Sequence, residues 1–133
     1  MLIKNKGVVL VAGMMILFVT SGCYKVATVV IDNTPAVTKT VSFSKDIVPI
    51  LTKSCALSGC HNAGGHAPDL TSENAFNSLV VGGYTSKANP SSSKVYQWLT
   101  GKGAVLMPMG ATNNPSNING LVLAWITQGV KNN

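Results

Sequence analysis

Two cysteines and a histidine lie close together in the stretch from Cys55 to His61. Four residues separate Cys55 from Cys60, and His61 follows Cys60 directly. Two thiols followed at once by an imidazole form the pattern of covalent haem attachment, in which each thiol adds to a haem vinyl group and the histidine ligates the iron. The usual motif has two residues between the cysteines. This stretch therefore indicates a widened form of the motif, in which Ala56 to Gly59 bulge out as a small loop that Ser58-Gly59 suits.

A haem iron used for electron transfer takes two axial ligands, and His61 can supply only one of them. The loop from Leu106 to Gly110 offers two further candidates, Met107 and Met109. A thioether is a soft, neutral donor that favours the ferrous state and raises the reduction potential. We therefore expect the second axial ligand to come from this loop.

Apolar residues recur at helical spacing in four segments, and no run of alternating residues has an evident partner strand. The sequence therefore predicts an all-α domain. The four segments are Phe43 to Leu51, Ser72 to Val80, Ser93 to Thr100 and Ser116 to Gly129.

The first and last of these segments carry recognisable end signals. Ser44 or Asp46 is expected to cap the first helix, with Pro49 inside its first turn, where a missing N–H has no intrahelical partner. Ser116 is expected to cap the last helix, and Gly129 to end it. The last helix carries the longest apolar stripe, so we expect it to pack on the first helix. The large aromatic residues Tyr96, Trp98 and Trp125 are candidates for contacts with the haem edge or its propionates, but we expect each to pack in the core with its polar atom satisfied locally.

The N-terminus has the pattern of an export signal. Lys4 and Lys6 precede an apolar run, Gly7 to Val19, which is shorter than the roughly 20 residues that span a bilayer. The closing Thr20-Ser21-Gly22-Cys23 resembles a bacterial lipoprotein signal, so we predict a signal peptide over 1–22, a lipidated Cys23, a tether over 23–42 and one domain over 43–133. The alternatives are an ordinary signal peptide or an uncleaved short anchor, with Cys23 as a spare thiol.

Composition limits the classes of partner. The formal net charge is +6, and all ten basic residues are lysine. A modest charge without arginine is not typical of nucleic-acid binding, but it can steer an acidic protein partner. The sequence shows no evident set of a nucleophile, a general base and a residue that orients the base, and its four acidic residues leave few candidates for paired-carboxylate chemistry. We therefore do not expect an enzyme. The lysines expected to face an acidic partner are Lys53, Lys87, Lys94 and Lys102.

Residues 43 to 130 resemble the monohaem c-type cytochromes, in particular the class I-like exported bacterial members. The resemblance rests on the widened Cys-x4-Cys-His motif, the Met107-Pro108 dipeptide and a closing Trp-Ile-x-x-Gly helix. It implies a cytochrome c-like domain of about four short helices around one covalently attached haem c, with the N- and C-terminal helices packed across each other.

The resemblance also implies a role for each candidate site residue. Position by position, it makes Cys55 and Cys60 the thioether residues, His61 the proximal axial ligand, and Met107 the distal axial ligand with Met109 as the alternative. Pro68 matches the family's loop proline, whose carbonyl holds the other ring nitrogen of the proximal histidine.

The resemblance implies a single-electron carrier, anchored through Cys23 to a membrane in the periplasm or on the outer membrane, with redox proteins as partners and no nucleic acid. The oligomeric state is left open, including assembly into a larger electron conduit. One alternative is an exported, non-haem binding module stapled by a Cys55–Cys60 disulfide. Another is a zinc site that adds His61 and His66 to the two thiols, although we expect His66 to be a solvent-facing loop residue.

Overall fold

The computed structural model describes residues 35–110 and 116–133, and within these ranges the chain is helical with no strand. The prediction of an all-α domain is confirmed. A π-helical turn, Phe43–Ile47, leads into the first α-helix, and a 3₁₀ turn, Pro90–Ser92, precedes the third. The α-helices are α1 (Val48–Ser54), α2 (Ala75–Val80), α3 (Lys94–Leu99) and α4 (Ser116–Thr127).

The first helical segment begins with a cap on Ser42, so the prediction of Ser44 or Asp46 as the cap is wrong. The Ser42 hydroxyl accepts a hydrogen bond from the Lys45 N–H at 3.3 Å. The Asp46 carboxylate reaches back to accept from the Ser42 N–H at 2.9 Å. These reciprocal bonds satisfy two N–H groups that the start of a helix leaves unpaired.

Pro49 lies in the first turn of α1, as predicted, directly after the π turn. The Val48 N–H donates to the Phe43 carbonyl, five residues back, which makes the preceding turn a π turn. In a regular α-helix the proline ring would clash with the carbonyl of Lys45. The wider turn accommodates the proline, so the segment continues to Ser54 and carries the chain to the first cysteine.

Three aromatic rings join the first helical segment and α4 to α2. Phe43 lies 4.9 Å from Trp125 and 5.3 Å from Phe76, measured between ring centroids. Aromatic pairs in this distance range contribute about 0.5–1.5 kcal/mol beyond the area they bury. The Trp125 indole N–H donates to the Lys131 carbonyl at 2.9 Å, so its polar atom is satisfied locally as expected. The last helix therefore packs on the first helical segment, as its apolar stripe predicts.

The packed part of the chain begins before Phe43, where the domain was expected to start. Val41 is buried, and its N–H donates to the Gln128 side-chain oxygen at 2.8 Å. The Gln128 side-chain nitrogen donates to the Lys39 carbonyl at 2.9 Å, and Val37 packs against the core. The last residues of the expected tether therefore pack against α4, because the Gln128 side chain hydrogen-bonds to their backbone.

The chain beyond α4 reverses at Gly129, as predicted. Gly129 has a φ of +102°, and its N–H donates to the Ile126 carbonyl. The Val130 N–H donates to the Trp125 carbonyl, which completes a Schellman motif. Residues 111–115 and the side chain of Ser116 lie outside the described residues, and so does the predicted cap on Ser116.

Helices α2 and α3 are shorter than predicted. The predicted segment at Ser72 begins as a helix only at Ala75, because Asp69 organises the intervening residues into a turn. Ser93 is the N-cap residue of α3, but its buried hydroxyl accepts from the Ser86 N–H and makes no capping hydrogen bond to the helix. In the two described ranges, no helix is long and apolar enough to cross a membrane.

Candidate functional site

Cys55 lies where α1 ends. Its N–H donates to the Leu51 carbonyl at 2.8 Å, so the helix itself fixes the position of this residue. The side chain is half-buried, and burial raises the pKa of its thiol, with the neighbouring Cys60 raising it further. Cys60 is exposed, and the two thiols are not bonded to each other.

The four residues between Cys55 and Cys60 fold as a tight turn. The Cys60 N–H donates to the Leu57 carbonyl at 2.9 Å, and Gly59 has a φ of +77°, which a residue with a side chain rarely adopts. The His61 N–H closes the loop by donating to the Cys55 carbonyl at 3.0 Å. The insert therefore bulges outward as expected and still returns Cys60-His61 to the end of α1.

His61 is held by two backbone carbonyls. Its Nδ1 lies 3.1 Å from the Pro68 oxygen and 3.0 Å from the His66 oxygen. A carbonyl oxygen can only accept, so Nδ1 carries a ring hydrogen, and in the neutral imidazole the lone pair is then on Nε2. The expected contact with Pro68 is present, and the tautomer it selects is the one that ligates a metal through Nε2.

The loop after His61 is fixed to the motif by its own backbone. The His66 N–H donates to the Cys60 carbonyl and the Leu70 N–H to the His61 carbonyl, both at 2.8 Å. Asp69 anchors the end of this loop: its carboxylate accepts from the Thr71 hydroxyl and N–H and from the Asn74 amide. The Thr71 hydroxyl bond, followed by the Thr71 N–H bond, lowers the pKa of the Asp69 carboxyl.

We expect Asp69→Asn to lower the free energy of unfolding at neutral pH. We also expect this free energy to decrease less steeply in the variant as the pH is lowered. The pKa of Asp69 is lowered in the folded state, so its stabilising effect is complete above the unfolded pKa, near pH 4, and is lost as pH falls through the folded pKa. Chemical denaturation at a series of pH values measures this slope.

Asp46→Asn is the matched control for the Asp69 prediction. The pKa of Asp46 is also lowered, chiefly by the hydrogen bond from Lys39, so this variant flattens the acid limb as well. Only Asp69→Asn should speed amide exchange at Leu70, whose N–H bonds to His61. Equal exchange at Leu70 in both variants would contradict a role for Asp69 in holding the loop.

The two methionines occupy different environments. Met107 is half-buried, and its N–H donates to the Trp98 carbonyl at 3.0 Å. The side chain of Met109 is 74% exposed. Met107 is therefore the better held of the two candidate ligands, in agreement with the preference stated for it from the sequence.

The predicted site residues meet in one cavity of about 350 Å³. Both thiols, His61 and both methionines line it, whereas Pro68 is buried and contacts it only through His61. The lining is mostly apolar, with sulfur and imidazole as its main donor groups. The lining residues are Ser54, Cys55, Gly59, Cys60, His61, His66, Ala67, Trp98, Met107, Pro108 and Met109.

Trp98 also lines this cavity, although sequence reasoning preferred core packing for it over a contact with the haem. It was expected in the core with Trp125 and Tyr96, and those two are indeed buried, but Trp98 is half-buried and lines the cavity. His66, expected to face solvent, is exposed and also borders the cavity.

The described residues do not form the group that the zinc alternative requires. Within residues 35–110 and 116–133, no three histidine, cysteine or acidic side chains come together as a metal-holding group, and this includes the four residues of the zinc alternative.

The signal peptide over 1–22 and the lipidated Cys23 lie outside the described residues, so they stay predictions.

No family model, curated protein or solved structure matches this chain.

Proposed function

We propose that this chain is a single-electron carrier that holds one covalent haem c with His61 and Met107 as axial ligands. The observation that carries the proposal is the convergence of two free thiols, an imidazole with its Nε2 lone pair available, and a held thioether on one cavity. The domain would then be cytochrome c-like, with α4 packed on the first helical segment beside the cofactor.

The chemistry of the cavity residues also supports a haem. Ligand sites are concave and mostly apolar with a few placed polar groups, which describes this lining. Each thiol would add across one vinyl group: its sulfur bonds to the carbon next to the ring, and its hydrogen goes to the terminal carbon. This addition consumes no oxidant or reductant. The half-buried Cys55 and the exposed Cys60 lie at the two ends of the turn, and each would hold the macrocycle through a thioether bond.

The bound haem would supply the iron that alternates between ferric and ferrous states. His61 would donate Nε2, with the Pro68 and His66 carbonyls holding the ring in orientation through Nδ1. Met107 would donate its sulfur from the loop that follows α3. With His61 and Met107 both bound to the iron, no coordination position would remain for a substrate, so the chemistry would be electron transfer alone.

The charge of the described surface supports an acidic redox partner. Asp46 pairs with Lys39 at 2.7 Å, and Asp69 and Glu73 accept hydrogen bonds from neighbouring side chains. The lysines outnumber these acids, and Lys53 and Lys102 lie within a few residues of cavity-lining positions. Long-range attraction of this kind raises association rates at low salt. Electron-transfer rates that do not change with ionic strength would exclude it.

Visible spectroscopy of the exported protein tests the proposal directly. We expect sharp absorption bands on reduction, and haem that stays with the polypeptide through acid-acetone extraction. A protein without haem, whose two thiols become reactive only after reduction, would instead support the binding module stapled by a Cys55–Cys60 disulfide. Extractable haem would contradict covalent attachment.

A further inference from the structure

The end of α3 holds the loop that carries Met107. The carbonyl of Gln97 accepts from the N–H groups of Lys102 and Gly103, at 2.8 and 2.9 Å. The carbonyl of Trp98 accepts from the Met107 N–H at 3.0 Å. The last carbonyls of a helix have no intrahelical partner, and here the loop supplies the partners. The backbone of Met107 is thus fixed relative to Trp98.

The indole of Trp98 packs directly on the backbone of Gly103. A Cβ at Gly103 would overlap the indole Cδ1 and lie 2.6 Å from Nε1 and 3.0 Å from Cγ. Unlike Gly101, with its φ of +69°, Gly103 has no left-handed backbone to explain it. The residue is glycine because the indole occupies the space of a side chain.

The Trp98 indole has a second contact, with an aromatic side chain. The Tyr84 ring meets Trp98 edge to face, with ring centroids 6.2 Å apart and an interplanar angle of 77°. The ammonium group of Lys94 lies 5.9 Å from the centre of the Tyr84 ring. The Tyr84 ring and the Gly103 backbone both pack on the Trp98 indole. A methyl group at Gly103 would therefore have to displace the indole or the loop.

We propose that Trp98 and Gly103 are positioning residues that set where the Met107 thioether lies in the cavity. This inference rests on the proposed function, since it assigns the pair a role toward the distal ligand. Trp98 lines the cavity together with Met107, so a displaced indole or a displaced loop alters the approach of the sulfur to the iron site. Neither residue needs to touch the iron.

Gly103→Ala in the haem-loaded, full-length protein tests the proposal. We expect amide exchange at Met107 to become at least tenfold faster. The weak long-wavelength band that marks methionine ligation of ferric haem should weaken, and the reduction potential should fall, while haem content stays unchanged. Unchanged exchange and an unchanged band in a folded Gly103→Ala protein would overturn the proposal.

Gly129→Ala is the matched control. Gly129 has a φ of +102° with open space around its Cβ position, so the variant is strained and less stable but leaves the Met107 loop alone. It should not change the band or the Met107 exchange rate. If it reproduced the effects of Gly103→Ala, general destabilisation would explain them and the positioning role would be wrong.

A double substitution separates packing from other effects. In a Trp98→Leu background the indole is gone, so adding Gly103→Ala should change the band and the Met107 exchange rate much less than it does in the wild type. Equal effects in both backgrounds would contradict the contact as the cause. The amide exchange result tests the positioning contact whether or not haem is present, whereas a wild-type protein without covalent haem would refute the proposed function alone.

Discussion

Replacing both motif cysteines in Cys55→Ser/Cys60→Ser is expected to reduce covalently bound haem at least tenfold. Serine keeps nearly the size and shape of cysteine, but its hydroxyl does not add to a vinyl group as a thiol does. His61 and Met107 would remain in the cavity, so this variant separates covalent attachment from axial ligation. Haem retained by the polypeptide after acid-acetone extraction, measured per mole of protein, is the readout.

The single variants and a loop control make this prediction specific. Cys55→Ser and Cys60→Ser each leave one thiol, so each should retain some covalent haem with a shifted absorption maximum, because one vinyl group stays unsaturated. Ser58→Ala changes an exposed residue of the same turn and should leave haem content at the wild-type level. Full covalent haem in the double variant would show that the motif is not the attachment site.

The helices were predictable from local pattern, but their ends were not. The start of the first helical segment depends on Asn133, ninety residues away in sequence. Its side-chain oxygen accepts from the Phe43 N–H, and its backbone oxygen accepts from the Ser44 N–H and from the Ser42 hydroxyl. Local capping rules allow Ser42 as well as the predicted Ser44 or Asp46, and they do not choose among them. The bonds to Asn133 fix the start of the segment, and no local rule identifies Asn133 as a partner.

The last helix shows a similar limit. Val122, Trp125 and Ile126 are buried, as the apolar stripe predicts, but Asn119 is only 6% exposed. The hydrophobic pattern assigns an asparagine to the surface, and burial of this one follows from packing that the pattern does not describe. Its Oδ1 has no hydrogen-bond partner among the described residues.

The candidate site was predictable to the extent that its chemistry is encoded in residue type. Cysteine, histidine and methionine are few in this chain, so Cys55, Cys60, His61 and Met107 could be singled out before any fold was known. The contribution of Trp98 could not, because aromatic residues serve in cores and in cavities alike. Its role depends on which side of α3 faces the Met107 loop, and that is a property of the tertiary fold.

Met107→Ala is expected to have the second large effect, and to change the iron site without releasing the haem. The thioether is the ligand that favours ferrous iron, so its loss should lower the reduction potential by a sizeable part of the ~0.8 V range that axial ligands set in haem proteins. The long-wavelength band of the ferric protein should disappear. The reduced protein should bind carbon monoxide, because one axial position is open. Redox titration and carbon monoxide difference spectra measure both changes.

Met109→Ala is the matched control for this prediction, since it removes the same side chain two residues along the same loop. Met109 is 74% exposed, whereas Met107 is half-buried and tied through its N–H to Trp98. We therefore expect Met109→Ala to keep the band and a potential near that of the wild type. The opposite result, with the band lost in Met109→Ala and kept in Met107→Ala, would make Met109 the distal ligand. A band that survives in each single variant and disappears only in Met107→Ala/Met109→Ala would mean that either thioether can reach the iron, so that the loop, rather than one residue, is the unit that supplies the ligand.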